Sequence, residues 1–135
     1  PTNISVSNSC LEAFSALKKR KLKYIIYKLN DSSDEIVVDK TSSDTNYDTF
    51  IKDLPETECR WAVYNLEYEE GERMGNAILL IVWSPEVIST RNKMLCASSA
   101  GVVRNALGGI DATVRAFYID ELDYGIVLDA ARSMN

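Results

Sequence analysis

Apolar residues recur along this chain in two rhythms. Between positions 8 and 19, Leu11, Phe14 and Leu17 lie three apart and Lys18 four beyond Phe14, which predicts an amphipathic helix. Ser9-Cys10-Leu11-Glu12 has the order of a capping box, and Ser7 is the other candidate for its cap. Leu22 to Leu29, rich in Tyr and Ile, predicts a strand. Asn30-Asp31-Ser32-Ser33-Asp34 is turn chemistry, and a second strand over Glu35 to Lys40 completes a hairpin. A short helix near Asn46 to Lys52 ends before Leu54-Pro55. Arg60 to Tyr68 and Ala77 to Trp83 predict the third and fourth strands, joined by a loop from Glu69 to Asn76 that holds Gly71 and Gly75. The fourth has no polar break, as expected of a strand buried on both faces.

Ser84-Pro85-Glu86 stops that strand, and a long helix from Ser89 to Leu107 follows, closed by Gly108-Gly109. A last strand over Ala112 to Phe117 and a last helix over Asp120 to Arg132 complete the pattern. Hairpins plus one helical crossover predict an α/β fold of mixed α+β character. Its central mixed sheet of five strands is sandwiched between helices, as one domain over 1–135.

The long helix is the candidate for function. At ~100° per residue, Ile88, Leu95, Ser99, Val102 and Ala106 share a side assigned to the sheet. Lys93, Ala97, Ala100 and Arg104 then form an outward stripe, a cation near each end and small residues between. Small side chains admit a close partner surface, while the cations suit carboxylates or carbonyls. Met94 stands at the stripe's edge, placed to enter an apolar cleft in a partner.

Composition narrows the function by exclusion. The 135 residues contain no histidine, which removes histidine-dependent triads, most zinc sites and the usual general base near neutral pH. No P-loop, dinucleotide fingerprint, zinc-protease or nucleophile-elbow motif is present, so no enzyme, metal or cofactor is expected. A net charge of −5 argues against nucleic acid. Cys10, Cys59 and Cys96 are odd in number and widely spaced, and are read as free thiols in a reducing compartment. Pro1-Thr2-Asn3-Ile4-Ser5 lacks the marks of a signal peptide, so a cytoplasmic monomer is the expectation.

Several stretches together resemble the ADF/cofilin family of actin-depolymerising factors. They are Leu54-Pro55 with Cys59-Arg60-Trp61-Ala62-Val63-Tyr64, then Trp83-Ser84-Pro85-Glu86, then Arg91-Asn92-Lys93-Met94-Leu95-Cys96-Ala97-Ser98-Ser99. The last is similar to the family's helix signature, and the likeness runs from about Ile4 to Asp129. It implies a cytoskeletal protein that binds actin monomers, in their ADP form, and speeds filament turnover. Thr2, Asn3, Ile4, Arg91, Lys93, Met94, Ala97 and Arg104 would enter the cleft between two actin subdomains.

The same resemblance implies a filament-binding surface from Arg73, Asp129 and Arg132. It is depleted, because positions where the family carries basic residues read Gly75, Ala77 and Ala130. In the long helix Ala100, Gly101 and Asn105 replace a usual Lys, acid and base, and Gly101 is expected to loosen the helix. Thr2 or Ser5 would take a regulatory phosphate. Lys18, Lys19, Arg20, Lys21 and Lys23 form a basic patch that suits phosphoinositide headgroups or nuclear import, or is a solvated turn. A rival on the same fold binds a filament-branching complex, or filaments alone, without depolymerising them.

Overall fold

Alternation along the central strands decides the layers. The computed structural model describes residues 4–133, in the order β1 Ser5–Val6, α1 Asn8–Lys18, β2 Tyr24–Leu29, β3 Glu35–Ser42, α2 Tyr47–Lys52, β4 Arg60–Glu70, β5 Arg73–Trp83, α3 Thr90–Leu107 and β6 Ala112–Ala116. A 3-10 turn, Ile119–Leu122, and α4, Tyr124–Arg132, end the chain's described part. Tyr24, Ile26, Ala62, Tyr64, Leu79 and Ile81 point to one face, where Phe50 of α2 and Val127 and Ala131 of α4 cover them. Ile25, Tyr27, Trp61, Val63, Leu80 and Val82 point to the other, beneath Phe14 and Leu17 of α1 and Val103 and Leu107 of α3. Successive residues alternate faces in a strand, so a sheet buried on both sides needs apolar residues at nearly every position.

The sheet has six strands in the order β1-β3-β2-β4-β5-β6. The expected count of five is therefore one short. β1 is only two residues long, pairs parallel to β3 through Ser5 and Val6, and is too brief to leave a periodic signal. The segment from Glu69 to Asn76, expected as a loop, is largely strand: β4 and β5 stay paired out to Glu70 opposite Arg73. Cross-strand pairing around a two-residue turn holds these polar residues extended, against their local propensity. The single last helix is likewise divided, a 3-10 turn preceding α4. Ser7, the second candidate, caps α1 by accepting from the Cys10 N–H.

The cysteine expectation fails. Cys59, at the entry to β4, is joined to Cys96 of α3, with Cα atoms 6.1 Å apart, and only Cys10 remains a buried thiol. Nothing in a separation of 37 residues names a partner. Trp61 reinforces the link, donating its indole N–H to the Cys96 carbonyl at 3.0 Å.

α3 runs unbroken from its Ser89 cap, which accepts from the Asn92 N–H at 3.1 Å, to Gly108 at φ 67°. The loosening expected at Gly101 does not break it. A Cβ built at Gly101 meets nothing within 4 Å. Gly101→Ala is therefore expected to raise stability by roughly 0.5–1 kcal/mol, as a melting temperature a few degrees higher. An unchanged or lower melting temperature would refute this account of the helix.

Candidate protein-binding surface

α3 turns a different side to the sheet than its hydropathy suggests. Cys96, Ser99, Ala100, Val103 and Leu107 are the buried residues, which rotates the helix by roughly one residue step from the expected setting. Ala100, expected outward, is 2% exposed, whereas Ala106, expected inward, is exposed. The helix carries small residues on several sides, so hydropathy barely distinguishes its faces, and the bridge at Cys96 fixes the choice.

The outward stripe is consequently Arg91, Met94, Ser98, Gly101 and Asn105, spaced three, four, three and four, all exposed. Met94, at 68% exposure, projects from its N-terminal part. Arg91 and Met94 thus share a face. The two cations expected to dominate lie on the flank beside β6 and are already engaged. Lys93 keeps 24% of its side chain exposed and pairs with Glu86 at 3.2 Å. Arg104 donates to the Thr113 hydroxyl of β6 and to the Ile110 carbonyl. Ala97 is exposed between them on the same flank.

A neighbouring turn enlarges the surface and was missed from sequence. Phe117, Tyr118 and Ile119 follow β6 and expose large apolar side chains, as does Val87 in the segment alongside. The Glu86 N–H donates to the Phe117 carbonyl at 3.0 Å, which ties that segment to the turn. The Glu121 carboxylate accepts from the N–H groups of Phe117 at 2.8 Å and Tyr118 at 2.9 Å. Those bonds, the one from Phe117 first, hold its carboxyl below the usual carboxylate range. Three consecutive large apolar residues just after a strand were the available signal. Ile4 is half-buried against the α1–α3 layer, and β1 lies next to α3. Thr2 and Asn3 fall outside the described residues. Ser5 is exposed, but its backbone is built into the sheet.

The opposite end gathers the other predicted charges. Arg132 donates to the Glu69 carbonyl at 3.1 Å and lies 6.0 Å from the Tyr68 ring, which joins α4 to the β4–β5 hairpin that carries Arg73. Asp129 and Arg73 are exposed. Ala77 is buried, and a Cβ at Gly75 would come within 2.8 Å of the Tyr68 ring. Cationic side chains at these two positions would have to displace packed atoms.

In the basic patch, Arg20 and Lys23 reach Glu67 at 3.4 and 3.9 Å, and Lys18 lies over Phe14. Lys19 and Lys21 are exposed. Among the described residues no group of three or more His, Cys, Asp or Glu could hold a metal, and no helix is long and apolar enough to cross a membrane.

An exposed helix stripe that carries a methionine, with an aromatic turn braced beside its flank, makes this α/β sandwich one with a surface suited to docking on another protein. The chain is a member of the family described as cofilin/tropomyosin-type actin-binding proteins, whose pattern it matches over residues 3–132. It is 43% identical to cofilin of Schizosaccharomyces pombe over 129 residues, covering 95% of this chain and 94% of that one. It is 47% identical to cofilin of Ogataea parapolymorpha over 131 residues, covering 95% and 92%. The fold matches the crystal structure of Streptomyces griseoflavus cofilin at a TM-score of 0.90 and 40% identity, over 96% of this chain and 98% of that one. Family membership places the chain among binding proteins and not among enzymes.

Proposed function

We propose that this chain acts as a single domain that binds actin monomers in their ADP form and promotes filament depolymerisation, while its own filament decoration and severing are weak. The observation that carries the monomer reading is the α3 stripe. Arg91 and Met94 are exposed on one face of α3, whose flank at Lys93 and Ala97 meets Phe117, so a cation and an apolar plug can enter a cleft together. Lys93 and Ala97 on the flank would join them. Arg104 acts mainly by holding α3 to β6.

Weak filament binding rests on the hairpin end. Arg132, though exposed, is engaged with the Glu69 carbonyl, Gly75 is packed against Tyr68, and Ala77 is buried, so Arg73 and Asp129 are the other exposed charges among the positions considered. The branching-complex reading is not favoured, since relatives at 40–47% identity are named cofilin. The setting is the cytoplasmic cytoskeleton, with the chain a monomer. Phosphoinositide binding or nuclear import would fall to Lys18, Lys19 and Lys21, because Glu67 offsets Arg20 and Lys23.

Titration of labelled ADP-actin monomers and co-sedimentation with filaments test both halves. Micromolar or tighter monomer binding with sub-stoichiometric pelleting is expected. Near-stoichiometric decoration with rapid severing would sink the filament half, and absence of monomer binding the other.

A further inference from the structure

A recess of about 200 Å³ opens between the start of β4 and the first half of α3, and both residues of the Cys59–Cys96 bridge line it. Leu29 and Ile88 give it an apolar wall, while Thr57, Glu58 and Asn92 are exposed lining residues. The two cysteines do not stand alike. Cys59 is half-buried, whereas Cys96 is 1% exposed, so a reagent entering from solvent meets Cys59 first. The Cys96 sulfur lies 3.6 Å from the Trp83 carbonyl, an acceptor to which a thiol released there can donate. A bridge is opened by a thiolate that attacks one sulfur and expels the other. Access and a settled leaving thiol both favour attack at Cys59.

We infer that the Cys59–Cys96 bridge is an exchange site for a low-molecular-weight cysteinyl thiol, which bonds to Cys59 in this recess and blocks docking on the neighbouring stripe. The incoming thiolate forms a bond to the Cys59 sulfur as the bond between Cys59 and Cys96 breaks. The bonding pair leaves on the Cys96 sulfur, which takes a proton from solvent and donates to the Trp83 carbonyl. The thiol's own sulfur is oxidised and that of Cys96 reduced, so no further oxidant or reductant is consumed. Attack by Cys96 on the mixed disulfide reverses the step and closes the bridge. Size argues for a small reagent. Ligand pockets run to roughly 300–1,000 Å³, so this smaller recess takes a cysteine-sized head and leaves the rest of a peptide thiol outside. The setting agrees, because in a reducing compartment a bridge within reach of thiols is exchanged and not permanent. Leu95 stands four residues on from Arg91, which sets the recess against the docking stripe on the side away from Lys93. The remainder of a peptide thiol therefore projects past Leu95 and Asn92 into space that an actin surface must occupy. Only that last step rests on the actin-monomer reading.

Glutathione is the probe. Bridge opening in the wild-type chain, read by alkylation and mass, is expected to quicken in proportion to glutathione and to ignore urea below the unfolding transition. A rate that climbs steeply with urea would mean that the sulfurs are reached only by unfolding, and the site would be overturned. In Cys96→Ser, which cannot close the bridge, oxidised glutathione should leave one adduct, on Cys59, and Cys59→Ser should gain none. Cys96→Ala takes its place should the serine variant not fold. The adduct is expected to bind ADP-actin monomers on the order of tenfold more weakly than the same variant unmodified, and a reductant to restore the affinity. Modification of Cys96 or Cys10, or no adduct at all, overturns the exchange site, and undiminished affinity overturns the block. If the unmodified chain binds no actin while glutathione still reaches Cys59, the actin reading and the block fall and the exchange site stands.

Discussion

Opening the Cys59–Cys96 bridge is expected to lower stability by about 3–4 kcal/mol, the loop-closure cost of a span near 37 residues. For a chain of this length that corresponds to a melting temperature roughly 10 °C lower. The bridge ties α3 covalently to the start of β4, but non-covalent contacts hold the two together as well. Trp61 keeps its hydrogen bond to the Cys96 carbonyl, and Ala100, Val103 and Leu107 keep their places in the core. The reduced protein should therefore still unfold in one transition, with α3 docked, only earlier. Melting with and without a thiol reductant, alongside Cys59→Ser and Cys10→Ser, checks this. Cys59→Ser should match the reduced wild type and lose its response to reductant, while Cys10→Ser should keep that response. A shift under 1 kcal/mol on reduction would mean the bridge contributes little to the fold.

Replacing Arg91 and Met94 together by alanine should do the opposite, leaving the melt within about 0.5 kcal/mol of wild type while removing monomer binding. Both side chains are exposed, and neither belongs to either core cluster. Anchor residues of an interface each contribute at least ~2 kcal/mol, or about 30-fold in affinity. The double variant should thus bind ADP-actin at least a hundredfold more weakly, as read by nucleotide exchange and native-gel shift. Lys93→Ala and Arg104→Ala are poorer probes. Truncating Arg104 also releases its bonds to Thr113 and Ile110, so lost stability and lost binding would be confounded. Retention of wild-type affinity in the Arg91/Met94 variant would move the docking face off this stripe.

How much of this was readable in the chain depends on contrast. β5 announced itself because seven consecutive apolar residues, Ala77 to Trp83, leave little else to be. The end of α3 was equally plain, closed by Gly108, whereas its Ser89 cap is seen only in the structure. Its rotation was not, because Cys, Ser, Ala and Gly between positions 96 and 101 differ too little in hydropathy to mark a face. The setting comes from tertiary partners: the bridge to Cys59 and the indole of Trp61. Ala97 kept its expected exposure and Met94 its place at the surface, while Ala100 changed sides. The aromatic turn after β6 went unread for a related reason. Exposure of Phe117 depends on how Glu121 folds back on the chain, which no local pattern specifies.

The two residues of β1 bear on any kinase that would act here. Protein kinases grip an acceptor within several residues of extended chain, and Ser5 is already woven in. Its N–H is bonded to the Asp34 carbonyl at 3.1 Å, and the Ser7 N–H to that of Ile36 at 3.0 Å. Reaching Ser5 would require unzipping this border strand, and through it the cap on α1. Phosphate transfer at Ser5 would then proceed only as fast as the edge frays, which couples the rate of modification to local unfolding.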